Sequence, residues 1–181
     1  MSALIIAVGV KTFVAQAFYI PSGSMLPQLE VGDRIVVSKL SYKLHEPRRG
    51  DVVVFDSPTP RPKGDGGGVQ RLLRGLLQTI GLAAPSTEEF VKRVIALPGE
   101  VVEARDGHVF VNGKQVVEPY LPAGMQTADF TPVTVPPGRL WVMGDNRSNS
   151  SDSRAFGPIR ESSIVGRAIV RVWPVPHASF L

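Results

Sequence analysis

The sequence predicts a mostly β protein built on antiparallel sheets, and three observations carry this prediction. Short runs rich in Val and Ile end at turn-forming residues, and they occupy residues 34–40, 52–55, 90–97, 101–103, 108–111, 140–143 and 165–173. The chain holds 18 Gly and 16 Pro in 181 residues, which favours many turns over long helices. Asn112-Gly113, between apolar residues, is a strong hairpin signal.

The order of these runs predicts how the chain is organised. Residues 1–20 form an apolar N-terminal segment, and residues 21–99 together with 139–181 form the β core. A small inserted β subdomain occupies 100–138, in which residues 119–138 are rich in proline and are expected to be irregular. Residues 144–154 read as a polar loop between the last two long strands.

The N-terminal segment is interpreted as a membrane anchor. Residues 2–10 are almost wholly apolar, Lys11 interrupts them, and residues 12–20 continue with a single glutamine. A membrane span needs about 20 apolar residues, so either Lys11 snorkels to the interface or the anchor extends upstream of Met1. A buried core segment is one alternative. A cleaved secretory signal is another, but it would need a basic residue before the apolar run, and there is none.

Composition excludes several function classes. The chain has no cysteine, which rules out disulfides, thiolate catalysis and cysteine metal sites. The net charge is +4, without the Lys/Arg runs typical of nucleic-acid binding. A location beside an anionic membrane is a sufficient explanation of this charge, so we expect a lipid bilayer as a partner and no nucleic acid.

Residues 57–89 form a separate insert in the predicted core. Residues 57–68 hold three prolines and four glycines, which is typical of a loop. Residues 69–80 predict a short amphipathic helix with a basic face, whose apolar positions are Leu72, Leu73, Leu76, Leu77 and Ile80. This apolar face can lie on a membrane surface or pack against the body, and the sequence leaves both open.

Residues 21–25, Pro-Ser-Gly-Ser-Met, place two hydroxyls on either side of a glycine. In an extended chain, residues two apart point to the same side, so Ser22 and Ser24 would face one way. Gly23 allows another part of the backbone to approach closely. A serine held in this way can act as a nucleophile only with a base nearby, and Ser-Gly-Ser alone is common in loops.

The base could be a histidine or a lysine. His45, His108 and His177 lie in a charged loop, beside a hairpin turn and in a Pro-rich tail, without a motif around any of them. Lys92 differs because it lies inside an apolar strand, where alternation places it on the face of Val94. Burial there would lower its pKa, and about 2–3 units would suffice for catalysis near neutral pH. A strand lysine that snorkels to solvent is the alternative.

Four blocks in a fixed order raise the specificity of this pattern. They are PSGSM at 21–25, RGD at 49–51 before a valine run, VKRVIALPGE at 91–100 and GDNRSNSSDSR at 144–154. Together they closely resemble type I signal peptidase, a membrane-bound serine protease that removes signal peptides from exported proteins. The resemblance extends over about residues 11–174.

The resemblance implies roles for individual residues. Ser24 matches the nucleophile, Lys92 the general base and Ser22 the hydroxyl that completes the oxyanion hole with the Ser24 backbone N–H. Ser150 matches the serine that orients the lysine. The supporting residues are Met25 and Arg93 beside the catalytic pair and, in the last block, Asp145, Asn146, Arg147, Asp152 and Arg154. Ser148 departs from the family, which often has aspartate there.

The resemblance also implies the reaction and its setting. Preproteins that carry signal peptides would be cut after an Ala-x-Ala-like site through an acyl-enzyme, without a metal or another cofactor. The enzyme would be a monomer held by a single span in the cell membrane or another energy-transducing membrane, with its catalytic domain on the outer face.

Three other functions remain as alternatives. A related Ser-Lys peptidase that cuts its own repressor chain would need a helix-turn-helix before Ser24, and no such pattern is present. A specialised peptidase with few substrates fits the same residues. An inactive module that only binds signal peptides would not need both Ser24 and Lys92.

Overall fold

The computed structural model describes residues 15–58 and 89–181. Strands dominate this part of the chain, which confirms the predicted mostly β, antiparallel fold. In chain order the strands are β1 Ala15–Tyr19, β2 Arg34–Ser38, β3 Val52–Asp56, β4 Glu89–Ala96, β5 Val101–Arg105, β6 His108–Val111, β7 Lys114–Gln115, β8 Phe130–Thr134, β9 Arg139–Met143, β10 Ile159–Arg160, β11 Ile164–Trp173 and β12 Ser179–Phe180.

The helices of the described residues are all short. Two are α-helical, α1 at Ser41–Leu44 and α2 at Ser153–Phe156. The 3-10 turns are Gly23–Met25, Glu161–Ser163 and Val175–His177. Within residues 15–58 and 89–181, no helix is long and apolar enough to cross a membrane. The predicted helix at 69–80 lies outside the described residues.

The larger of two sheets has eight strands in the order β1-β2-β11-β3-β4-β9-β10, with β12 paired to β11. All of its pairings are antiparallel. The run Val-Val-Val-Phe in β3 shows why this sheet is stable. Val52 and Val54 pack in one apolar cluster, whereas Val53 and Phe55 pack in another, so both faces of the strand are covered.

The smaller sheet has the order β7-β6-β5-β8 and lies within residues 101–134. Its apolar face packs against the ends of β4 and β9. One cluster joins Val102 and Val109 of the small sheet to Ile95 and Trp141 of the large one. The small sheet therefore shares a core with the strand that carries Lys92.

Strand β8 corrects the expectation that residues 119–138 are irregular. Its Pro132 has no N–H, but β8 is an edge strand, where a proline is tolerated. Phe130 stacks on Trp141 with ring centroids 5.3 Å apart. A register shift between Val102 and Ala104 on the neighbouring strand also breaks the simple alternation that sequence patterns reveal.

Strand β1 corrects the predicted end of the N-terminal anchor. Residues 15–19 pair with β2, and Phe18 and Ile20 are buried in the core of the large sheet. Phe18 and Ile20, which could face lipid, are covered by protein instead, so residues 15–20 belong to the sheet and not to a membrane anchor. Residues 1–14 lie outside the described residues.

Candidate active site

The nucleophile candidate lies on a 3-10 turn that follows β1 after three intervening residues. Gly23–Met25 form this turn, in which Leu26 N donates to Gly23 O at 3.3 Å. The extended conformation expected for this stretch holds only for Ser22. The hydroxyls nevertheless meet, because Ser22 Oγ and Ser24 Oγ are 3.4 Å apart. Met25 is buried under the turn and fixes it to the core.

Lys92 lies opposite Ser24, on β4. A hydrogen bond of 2.6 Å joins Lys92 Nζ to Ser24 Oγ, and Nζ also donates to Val91 O at 2.9 Å. The lysine is only 1% exposed. Burial lowers its pKa from 10.5 to about 8, against the opposing effect of Asp152 and then Asp145. A neutral amine is therefore accessible near physiological pH, and it can accept the Ser24 proton.

The histidines do not join this pair. Among the side-chain hydrogen bonds of residues 15–58 and 89–181, none connects a histidine to Ser24. His45 Nδ1 lies 2.8 Å from Glu46 O, and His108 and His177 lie in β6 and in the last 3-10 turn.

The loop after β9 closes over the nucleophile. Asn146 N donates to Ser24 O at 3.1 Å, and Asn146 Nδ2 donates to Gly23 O at 3.0 Å. Gly144 makes this approach possible. A Cβ on Gly144 would lie 2.2 Å from Ser150 Oγ and 2.4 Å from Ser24 O, so any side chain would displace both.

Ser150 lies against this glycine with its hydroxyl buried. Within the described part of the chain, Ser150 Oγ has no partner in hydrogen-bond geometry. It lies near enough to Asp152 to help lower the pKa of that carboxyl. The same loop also holds Ser148, whose Oγ donates to Asn146 Oδ1 at 3.3 Å.

Asp152 and Arg154 stiffen the end of the loop. Arg154 donates to Asp152 through Nε at 2.9 Å and Nη2 at 2.8 Å, and Gly144 N donates to Asp152 Oδ2 at 2.9 Å. Burial acts to raise the pKa of Asp152, but the bonds from Arg154 and Gly144 hold it below its ordinary value. Asp152 therefore stays ionised and ties the ends of the loop together.

Arg93 and Asp145 connect the lysine strand to the loop. Arg93 donates to Asp145 at 2.9 Å from Nε and 2.7 Å from Nη2, and to Gly50 O at 2.7 Å. Its Nη2 also donates to Gln28 Oε1. Both charged groups are buried, so this bidentate pair fixes β4, the loop and the residues after Ser24 against one another.

The residues that the resemblance assigned to the site thus gather where β4 meets the 3-10 turn at Gly23–Met25 and the loop after β9. Sequence reasoning missed Gln28, Glu118, Tyr120 and Thr127, which also contact this cluster. Gly144 had no predicted role, although glycine is the residue that lets another part of the chain approach the backbone closely.

A comparison with models of protein families shows to which family this chain belongs. The family model described as signal peptidase, peptidase S26, matches residues 1–173. This chain belongs to the signal peptidase family. Because its relatives are named signal peptidase I, the chain is a hydrolase of the serine endopeptidase class.

Individual relatives resemble nearly the whole chain. A probable signal peptidase I-2 of Synechocystis is 41% identical over 181 residues, which is 100% of this chain and 73% of the relative. A signal peptidase I of Leptolyngbya laminosa is 44% identical over 95% of this chain and 75% of its own length. A crystal structure of a signal peptidase I from Enterococcus faecalis matches 68% of this chain and 97% of its own, with 29% identity and a TM-score of 0.49.

Proposed function

We propose that this enzyme is held at a membrane and cuts signal peptides from preproteins through a Ser24–Lys92 dyad. The observation that carries the proposal is the 2.6 Å contact between Ser24 Oγ and the buried Lys92 Nζ. A lysine in water is protonated at neutral pH and cannot accept a proton, but burial gives Lys92 a pKa of about 8.

The reaction follows from this contact. Neutral Lys92 takes the Ser24 proton while Ser24 Oγ attacks the scissile carbonyl carbon. The Ser22 hydroxyl and the Ser24 backbone N–H stabilise the negative oxygen of the tetrahedral intermediate. The lysine ammonium then gives its proton to the leaving amine, which becomes the N-terminus of the mature protein. Water attacks the acyl-enzyme with Lys92 again as the base, and this step frees Ser24.

The substrate is an extended signal peptide with small residues at the first and third positions before the cut. An Ala-x-Ala-like pattern suits an extended peptide that places alternate side chains on one side. The chain acts as a monomer, without a cofactor and without nucleic acid. The catalytic domain faces the outer side of the cell membrane, or of another energy-transducing membrane, and residues before β1 supply the single span.

Exposed apolar residues near the 3-10 turn that carries Ser24 support the membrane location. Tyr19, Val31, Trp173 and Val175 are 42%, 59%, 52% and 65% exposed, and we call this set the apolar rim. Tyr19 and Trp173 both lie opposite Arg34 in the sheet register, and Tyr19 is followed closely by Ser22. Aromatic residues at the edge of a domain are suited to the interface between lipid and water.

Cleavage of a signal-bearing precursor tests the dyad. We expect Ser24→Ala and Lys92→Ala, each with unchanged circular dichroism, to leave the precursor intact, whereas the control His108→Ala cuts it at the normal rate. Cleavage by Lys92→Ala at the wild-type rate would exclude the lysine as base. A precursor that wild-type protein binds without cutting would instead favour the binding module.

Vesicle sedimentation tests the apolar rim separately. Trp173→Ser should reduce the fraction of protein that sediments with anionic phospholipid vesicles, while cleavage of a short soluble peptide stays the same. Val117→Ser is the matched control, because Val117 is 85% exposed but lies beside the small sheet. Equal losses from the two variants would contradict a specific membrane-facing rim.

A further inference from the structure

The connection between β7 and β8 reaches from the small sheet to the catalytic cluster. The Tyr120 ring lies under the Arg93 guanidinium, with Cζ 3.9 Å from the ring centroid. Arg93 follows Lys92 on β4 and is paired in a bidentate way with Asp145. Tyr120 therefore supports the residue that links the lysine strand to the loop over Ser24.

Glu118, two residues earlier, holds a second arginine. Its Oε2 accepts from Arg147 Nη1 at 3.0 Å, and its Oε1 accepts from Arg147 Nη2. The Tyr120 hydroxyl donates to the same carboxylate at 2.7 Å, and Thr127 Oγ1 accepts from Arg147 Nη1 at 2.7 Å. The Arg147 side chain is fully buried, so its charge depends on the carboxylate that the small-sheet side supplies.

Arg147 follows Asn146, which contacts the 3-10 turn that carries Ser24. Asn146 bonds Ser24 O and Gly23 O, and Arg147 Nε donates to Gly144 O at 3.2 Å on the other side. A shift of Arg147 would therefore move the two residues that lie against Ser24.

We propose that Glu118 and Tyr120 are positioning residues, which hold Arg147 and Arg93 so that the loop at 144–147 keeps Ser24 in register with Lys92. The small sheet thereby serves catalysis as well as the fold. This inference rests on the proposed dyad. It extends the machinery of the reaction to residues 118–127, which no resemblance motif covers.

The small sheet contains a matched contact that lacks this connection. Arg105 Cζ lies 3.8 Å from the Phe110 ring centroid, and Arg105 Nη1 pairs with Glu103 at 2.5 Å. This arginine has the same two kinds of partner as Arg93, but its side chain is 48% exposed. Among the side-chain hydrogen bonds of the described residues, none joins it to the loop after β9.

The decisive experiment measures kcat and KM for one precursor peptide in Tyr120→Leu, Tyr120→Phe and Phe110→Leu, at a temperature where all are folded. Removing the ring from beneath the buried arginine should lower kcat about tenfold and leave KM within about twofold. Tyr120→Phe keeps the ring and should recover most of kcat. Phe110→Leu should match wild type.

Glu118→Gln tests the second contact, with Glu103→Gln as its control. Glu118→Gln removes the carboxylate that pairs with Arg147. This variant should lower kcat by about 100-fold, because loosely held catalytic groups lose their alignment. If Glu118→Gln does not fold, the Tyr120 and Phe110 variants decide alone.

Wild-type kcat in Tyr120→Leu, or an equal loss in Tyr120→Leu and Phe110→Leu, would overturn the inference. Lys92→Ala, measured in parallel, separates the two proposals. If Lys92→Ala is inactive and Tyr120→Leu is fully active, only the positioning role fails. If Lys92→Ala is active, the dyad fails and the positioning role fails with it.

Discussion

The charged side chains around Lys92 in the large sheet and those of the small sheet differ in how far water reaches them. In the large sheet and its loop, Lys92, Arg93, Asp145 and Asp152 are at most 4% exposed. In the small sheet, Arg105 and Glu103 form a pair whose side chains are 48% and 20% exposed. Burying a charge is costly unless it is paired, whereas an exposed pair exchanges one set of water contacts for another. The charges around Lys92 are thus tied to a fixed geometry, and the Arg105–Glu103 pair is not.

Lys92 is the instructive exception among the buried charges. Arg93 pairs with Asp145, and Arg154 pairs with Asp152, but the bonds from Lys92 Nζ go to a hydroxyl and a carbonyl. Without a carboxylate in contact, its charged form is disfavoured. The lysine can therefore give up its charge near neutral pH.

The two sheets should differ most in the free energy of unfolding that is lost when an ion pair is broken. Asp145→Asn leaves Arg93 buried without its carboxylate and should lower the free energy of unfolding by about 3–5 kcal/mol. Urea denaturation followed by tryptophan fluorescence measures this loss. A loss below about 1 kcal/mol, the range of an exposed pair, would remove the distinction between the two sheets.

The pH dependence of stability should reveal the buried lysine. Below about pH 8, Lys92 is protonated in both states, and the cost of burying the charge is fully present. Between about 8 and 10.5 the unfolded state binds more protons, so stability relative to Lys92→Met should rise with pH. From pH 7 to pH 10 we expect a gain of about 2–3 kcal/mol. A difference that does not change with pH would contradict a lowered pKa.

Activity should depend on residue 144 being a glycine, which has no side chain. A Cβ there would collide with Ser24 O and Ser150 Oγ, and Gly144→Ala should lower kcat by about 100-fold through misplacement of the nucleophile. Gly113→Ala is the control from the small sheet. Gly113 has a φ of 74° and nothing near its Cβ position, so alanine adds only backbone strain there. If both variants keep wild-type kcat, close packing at Gly144 is not needed.

The smallest effect should come from the exposed pair. Glu103→Gln should change the free energy of unfolding by less than about 1 kcal/mol and leave kcat unchanged, because water screens both charges. Thermal unfolding and precursor cleavage on the same preparation test this prediction. A loss comparable to that of Asp145→Asn would show that exposure does not separate the two sheets.

The strands were largely predictable, and the exceptions have physical causes. The pattern at 90–97 placed Lys92 with Val94 and opposite Val91, and these two valines indeed pack in different clusters. The pattern failed at β8, where an edge position accommodates Pro132. It failed again at β1, where a run apolar enough for lipid pairs with β2.

The site was predictable only in part. Ser24 and Lys92 were found through a glycine-separated serine pair, a lysine in an apolar strand and the resemblance to a family. Glu118 and Tyr120 have no such signal, because an acidic residue and a tyrosine beside a proline are ordinary in a loop. Their importance comes from the arginines that they meet across the fold.

The sequence by itself determined most of the strands and turns. Alternation within a strand and turn residues such as Asn112-Gly113 act over a few neighbours, so they can be read from a short stretch. Tertiary structure alone decided that β11 lies between β2 and β3, and that Lys92 meets a serine 68 residues earlier. The physical reason is that these pairings depend on which faces bury each other's apolar surface. That is a property of the packed chain, and no single segment contains it.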